Sequence, residues 1–217
     1  LVMPATAQDV VLKVGVYHNP PKIMFDEDGD LSGIHADLLT VIAERHGWQL
    51  IPVECDWDEC LRQLESGDID IMPDVAKTTA RNEWMSFHSE HALLNWSQIY
   101  ADEKEGITSV LDLDNKKVAV LRGSVQQEYL SDIIASFELS TELLPVNSFT
   151  EGFEAVNNQE ADAVATNQFF GNQQVATRKI EMTPIMFLPN KLYFAMRQGK
   201  GSAVLDIIDR DIRQLKA

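Results

Sequence analysis

No run of apolar residues in this chain approaches the ~20 needed to span a bilayer. That absence excludes a membrane-crossing helix from the sequence and predicts a soluble chain. Basic residues are also scarce: 18 Lys and Arg stand against 34 Asp and Glu, a formal charge of −16. Such a surface repels phosphate backbones and anionic lipid heads, so nucleic acid and membrane surfaces make poor partners. Cysteine is reduced to Cys55 and Cys60. A structural metal needs about four ligands, and neither a CxxC motif nor a nearby histidine pair supplies them. Among the histidines at 18, 35, 46, 88 and 91, His88 and His91 are close in sequence but have no third ligand beside them. Neither metal nor cofactor is expected. No nucleophile–base pair and no carboxylate pair at a motif spacing is present either, which argues against an enzyme. The two cysteines leave a disulfide or separate thiols open. The expected layout ends a strand at Cys55 and turns Cys60 inward in the first turn of a helix, so their Cβ vectors need not converge, and separate thiols are the favoured reading.

What remains is a globular composition, 45% hydrophobic and 24% charged over 217 residues, enough for one large or two modest domains. Val11 to Val16 reads as a strand stopped by the prolines at 20 and 21. Asp28-Gly29 turns the chain, and 35–46 carries Leu38, Leu39, Ile42 and Ala43 at helical spacing before Gly47 caps it. A strand over 48–53, a helix over 57–65 and a strand over 70–72 follow. A second series repeats the order: strand 118–121, helix to about 136 after Gly123-Ser124, strand 141–145, helix 150–157, strand 162–165 and helix 167–177. The segments LESGDIDIM and VNNQEADAV each set a helix end, a turn and an aspartate before a short strand. Two β-α-β-α-β units imply parallel strands with helical crossovers, hence an α/β fold in two lobes. Between the units lies the extended segment NWSQIYA (95–101); after the second come 185–188, LYFAM (192–196) and a final amphipathic helix from about Ser202. That last strand and helix are expected to pack back on the first lobe, so that the chain crosses twice and makes a hinge.

Ligands of open α/β sheets sit beyond the strand C-termini, so two facing lobes put both sets of loops around one cleft. Tyr17, His18, Asn19 and the segment Asp74 to Thr78, read as a loop, line one wall. From the other wall, Arg122-Gly123-Ser124-Val125 opens a helix whose free N–H groups suit an anion. Ala5-Thr6-Ala7 matches the A-x-A form of an export cleavage site.

The ordered set GVYHNPP, DEDGDLSGIHADLLTVIAERHGW, LESGDIDIM, TTARNEWMSF, LDLDNKKVAVLRGS and QEADAVATN covers nearly the whole chain. It resembles the type 2 periplasmic solute-binding proteins, specifically the amino-acid-binding group, family 3 of the bacterial extracellular solute-binding proteins. DIDIMPDVAKTTAR followed by NWSQIYA looks most like the Venus-flytrap sensor domain of a membrane histidine kinase, and the end at RDIRQLKA fits a piece of a longer receptor. The resemblance implies a two-lobed Venus flytrap with two crossing hinge strands, lobe 1 at 1–98 plus 188–217 and lobe 2 at 99–187. It implies a non-catalytic, periplasmic module that closes on an amino acid or carboxylic acid and signals to the kinase, as part of an inner-membrane receptor and as a homodimer. The alternative is the solute-binding component of an ABC amino-acid transporter.

The resemblance makes Arg81 the residue that grips a ligand carboxylate, for which its planar fork is suited. The stretch from Asp70 to Arg81 runs slightly shorter than the family pattern, which puts the aim of that loop in question. The full expected ligand-binding set is Tyr17, Asn19, Trp57, Asp74, Ala76, Thr78, Arg81, Gly123, Ser124, Val125 and Asn167. Asn167 departs from the family, where an aspartate usually pairs with the ligand ammonium. Asp74 has two readings. It either caps neighbouring backbone N–H groups, or faces the cleft and holds an ammonium from the first lobe.

Overall fold

The computed structural model describes residues 10–175 and 179–217. The A-x-A motif at 5–7 and the expected helix end at Thr177 lie outside the described residues. The first half contains β1 (Val11–Val16), a ribbon of β2 (Met24–Phe25) and β3 (Leu31–Ser32), α1 (Ile34–His46), β4 (Gln49–Glu54), α2 (Trp57–Ser66) and β5 (Ile71–Ala76). A short helix α3 (Thr79–Asn82), β6 (Met85–Phe87) and the long strand β7 (Leu93–Ala101) lead onward. The second half is β8 (Lys117–Leu121), α4 (Val125–Ser136), β9 (Glu142–Val146), α5 (Phe149–Asn157), β10 (Ala163–Asn167) and α6 (Gln168–Val175), and β11 (Glu181–Arg197) and α7 (Ser202–Lys216) close the chain.

β1 pairs in parallel with β4 and β5, and β8 in parallel with β9 and β10. These are the two crossover units expected from the strand–helix alternation. They join through β7 and β11, antiparallel to each other at the centre of a sheet ordered β4-β1-β5-β11-β7-β10-β8-β9. The fold is therefore two-lobed, with two strands crossing between the lobes. Every residue of β5 and β10 is buried, the signature of strands covered on both faces. α1 lays Ala36, Leu39, Ile42 and Ala43 inward and ends at Gly47, whose left-handed φ of 67° lets Trp48 N–H donate back to the Ala43 carbonyl at 2.9 Å. Leu205, Ile208 and Ile212 of α7 join Leu39, Ile42 and Ile71 in one cluster. Burial of each such side chain contributes roughly 1.5–3 kcal/mol, which fastens the last helix to the first lobe as expected.

Several elements differ from the sequence reading. β5 continues through Ala76, so Asp74 and Ala76 are strand residues and not loop residues. β10 continues through Asn167. β11 is one strand over 181–197 rather than two pieces, because Pro184 and Pro189 fall inside its two register shifts, where no ladder hydrogen bond is demanded of them. The cysteines also correct an expectation: Cys55 and Cys60 form a disulfide, with Cα atoms 5.3 Å apart. Cys55 lies just past the end of β4, and the chain reverses there into α2, so the two side chains do converge.

Candidate functional site

β5 carries the centre of the site. Opposite it, β11 pairs Tyr193 with Val75 and Ala195 with Met72, which leaves one extra residue on β5. The bulge falls at Pro73-Asp74, and Asp74 takes a φ of 64°. A bulge re-aims a side chain, and here it delivers a carboxylate, only 4% exposed, into a group of donors. Asn19 Nδ2 donates to Asp74 Oδ2 at 2.8 Å, Lys22 Nζ reaches both carboxylate oxygens at 2.7 and 2.8 Å, and His35 Nε2 lies 3.1 Å from Oδ1. The Tyr17 hydroxyl also donates to Oδ2. Burial alone would raise the Asp74 pKa, but the Lys22 ammonium and the His35 hydrogen bond outweigh it and hold the carboxyl below the ordinary carboxylate range. Burial likewise pushes the Tyr17 phenol well up and the Lys22 amine down from their usual values. The reading of Asp74 as a cap on neighbouring backbone N–H groups is replaced by this side-chain cluster.

Local backbone geometry explains how Lys22 and His35 arrive there. Asn19 and Ile23 bridge their backbones, and Lys22 N–H donates to the Asn19 carbonyl at 2.9 Å. Gly33, at φ 109°, lies against the Pro21 and Lys22 backbone, where an added Cβ would meet backbone atoms at 2.8 Å. That contact lets Ile34 and His35 N–H donate to the Pro21 and Lys22 carbonyls at 3.0 and 2.9 Å, so the start of α1 holds the loop in place.

Arg81 sits on α3, capped by Thr78, whose hydroxyl accepts Arg81 N–H at 3.2 Å. Its guanidinium donates to the Ala76 carbonyl at 3.0 Å and, across the cleft, to the Gly123 carbonyl at 3.3 Å, and lies 5.3 Å from the centre of the Trp57 ring. No carboxylate within ion-pair distance accompanies these contacts among the described residues. Burial pushes the Arg81 pKa down to about 10, partly offset by Glu128, so it remains a cation at neutral pH. A buried cation bonded only to neutral carbonyls is left with charge to match.

Hydrogen bonds cross the cleft: Arg81 and Trp57 Nε1 both donate to Gly123 O, the latter at 3.2 Å, Asn167 Nδ2 donates to Asn19 Oδ1 at 3.0 Å, and nearer the crossing strands Gln126 Nε2 donates to Ser97 Oγ at 3.0 Å. The cavity between these contacts is lined by Tyr17, Asn19, Trp57, Asp74, Ala76 and Arg81 on one side and by Ser124, Val125 and Asn167 on the other. Thus nine of the eleven expected residues come together. Thr78 and Gly123 border the cavity instead, one as a cap and one through its carbonyl. His18, expected on the wall, is exposed on the outside of its loop. Tyr17 packs edge-on against Trp57, with ring centroids 4.8 Å apart, so both aromatics serve wall and core together. Lining residues that the sequence reading missed include Lys22, Asn95, Gln126 and Asn190. For Lys22 the available signal was a lone lysine directly after two prolines, which pointed to a turn but not to its partner.

The sequence model of the bacterial extracellular solute-binding proteins, family 3, matches residues 12–217. A probable histidine-binding protein of Campylobacter jejuni is 25% identical over 160 residues, 73% of this chain and 60% of that protein, so the match spans less than two thirds of the relative. Among solved structures, an ancestral arginine-binding protein bound to glutamine superposes with a TM-score of 0.85 at 25% identity, covering 96% of this chain and 93% of the other. A histidine kinase sensor domain with similarity to periplasmic binding proteins superposes at 0.84 with 19% identity over 96% and 90% of the two chains, a likeness of fold.

Proposed function

The chain belongs to the bacterial extracellular solute-binding proteins, family 3, and on that premise we propose that it is an extracytoplasmic module that closes on a small amino acid or carboxylic acid. The observation that carries this reading is Arg81: a buried, forked cation in the cavity between the lobes, whose hydrogen-bond partners among the described residues are neutral carbonyls. A ligand carboxylate matches it in two parallel hydrogen bonds. Of the N–H groups at the start of α4, those of Gly123 and Ser124 already donate to Gln127 Oε1 and the Leu121 carbonyl, so Val125 at the first turn is the one that faces a ligand from the other wall, and Tyr17 and Trp57 supply apolar surface. Asn19, Asp74 and Asn167 give polar wall, while Ala76, Thr78 and Gly123 hold Arg81 in place.

Lobe 1 comprises 1–98 with 188–217, and lobe 2 comprises 99–187. Two breaks support these borders. β7 pairs with β10 only over 97–101, and β11 shifts register between Phe187 and Asn190, where Leu188 takes a φ of 47°. Closure about these strands is the signal, passed to a histidine kinase in a dimeric inner-membrane receptor; of this reading, the likeness to the kinase sensor domain supports the sensor role alone. The second reading, the binding component of an ABC amino-acid transporter, uses the same cleft and is favoured by the binding-protein description of the Campylobacter relative. The coding sequence after Ala217 separates them: a membrane segment and kinase domain support the receptor, and a stop codon supports the transporter component.

Binding itself is tested by calorimetry over a panel of amino and organic acids. Arg81→Ala is expected to weaken binding at least 100-fold, because an unpaired buried carboxylate costs about 3–5 kcal/mol. Undiminished affinity in that variant overturns the site.

A further inference from the structure

Three charged side chains line the cavity: Arg81, Lys22 and Asp74. Asp74 is the one carboxylate among them, and its capacity is used up. A carboxylate offers about four lone-pair sites; Lys22 reaches both oxygens, and Tyr17, Asn19 and His35 add three more donors. All five groups are buried, so the arrangement does not relax into solvent. Lys22 Nζ therefore occupies the place where a ligand ammonium would have to bond.

With Lys22 and Asp74 paired, the cavity keeps one net positive charge, on Arg81, which one carboxylate neutralises. A zwitterion would bring a second charge, an ammonium, into a buried space lined by no free carboxylate among the described residues, and a buried unpaired charge is strongly disfavoured. The neutral polar wall is a different matter. Asn95 is buried in the cavity wall, and its Oδ1 has no hydrogen-bond partner. That oxygen can accept a hydroxyl O–H, but it carries no charge with which to neutralise an ammonium.

We propose that the solute is a monoanionic carboxylate whose other polar group is uncharged, a hydroxy acid in preference to the corresponding amino acid, because Lys22 already holds Asp74. This rests on the reading of Arg81 as the carboxylate clamp, and the test separates the two. Wild-type protein is titrated calorimetrically with three matched pairs: L-lactate and L-alanine, L-glycerate and L-serine, L-phenyllactate and L-phenylalanine. In whichever pair binds, the hydroxy acid is expected to bind at least tenfold more tightly, with binding lost in Arg81→Ala. An amino acid that binds as tightly as its hydroxy partner, with binding still dependent on Arg81, overturns the proposal and leaves the clamp standing. No binding by any of the six, or binding unaffected by Arg81→Ala, overturns the clamp and the proposal with it. Lys22→Met supplies a second readout: it frees Asp74, and the preference within the pair is expected to move at least tenfold toward the amino acid. An unchanged preference in a folded Lys22→Met protein counts against the proposal, and if that variant does not fold the wild-type ratios decide.

Discussion

Arg81 and His88 show two ways in which a single buried side chain is made to carry a defined charge. Arg81 stays cationic because its intrinsic pKa is so high that burial leaves it at about 10. His88 starts near neutrality, and burial pushes it down to about 4. Its Nε2 accepts the Phe194 N–H at 2.9 Å, which requires the ring to be neutral. The folded protein thus binds fewer protons at this site than the unfolded chain between pH 6.5 and about 4. Stability from this group is complete above pH 6.5 and is lost progressively as the pH falls toward 4. Urea unfolding at pH 7.5 and pH 5 is expected to show a loss of about 2 kcal/mol from His88. The loss attributable to it is the part that disappears in His88→Gln, and an identical pH dependence in that variant contradicts the assignment.

At the scale of elements, the start of α1 organises the site as much as β5 does. Gly33 has a φ of 109°, and its Cα faces the Lys22 and Pro21 backbone at a distance that leaves no room for a methyl group. Those obstructing atoms are main chain, so they cannot swing aside as a long side chain would. Gly33→Ala is expected to destabilise the protein by about 3 kcal/mol through combined backbone strain and overpacking, and to weaken ligand binding by displacing Lys22. Chemical denaturation reads the first effect; a change below about 0.5 kcal/mol, the range of ordinary surface substitutions, refutes it. The Cys55–Cys60 bridge acts on the neighbouring element in a similar way, since it closes a short loop containing Trp57, the ring beneath Arg81.

For the molecule as a whole, closure depends on few contacts between the lobes, and Asn167 makes one of them to Asn19. Loss of one neutral hydrogen bond is worth ~1 kcal/mol, so Asn167→Ala is expected to weaken ligand affinity about fivefold and to enlarge the radius of gyration in small-angle scattering. Unchanged scattering and affinity together would remove this contact from the closing mechanism. Much of this architecture was legible from local pattern. The repeated strand–helix alternation, the Gly47 cap, the apolar face of the last helix and the extended crossing segment all depend on neighbours within a few residues, and such periodicities survive in sequence. The position of Arg81 was legible through its motif. The Cys55–Cys60 bond was not, because it depends on the angle at which the chain leaves β4. The Asp74 cluster was not legible either: its donors come from residues 17, 19, 22 and 35, and a one-residue bulge, invisible to hydropathy, turns the carboxylate toward them. The sequence by itself determined the two α/β units, their order and the segments that join them, since these follow from short-range periodicity. Only the tertiary structure decided which charges cancel inside the cavity, because pairing in a buried space is set by distances between segments that the chain brings together only when folded.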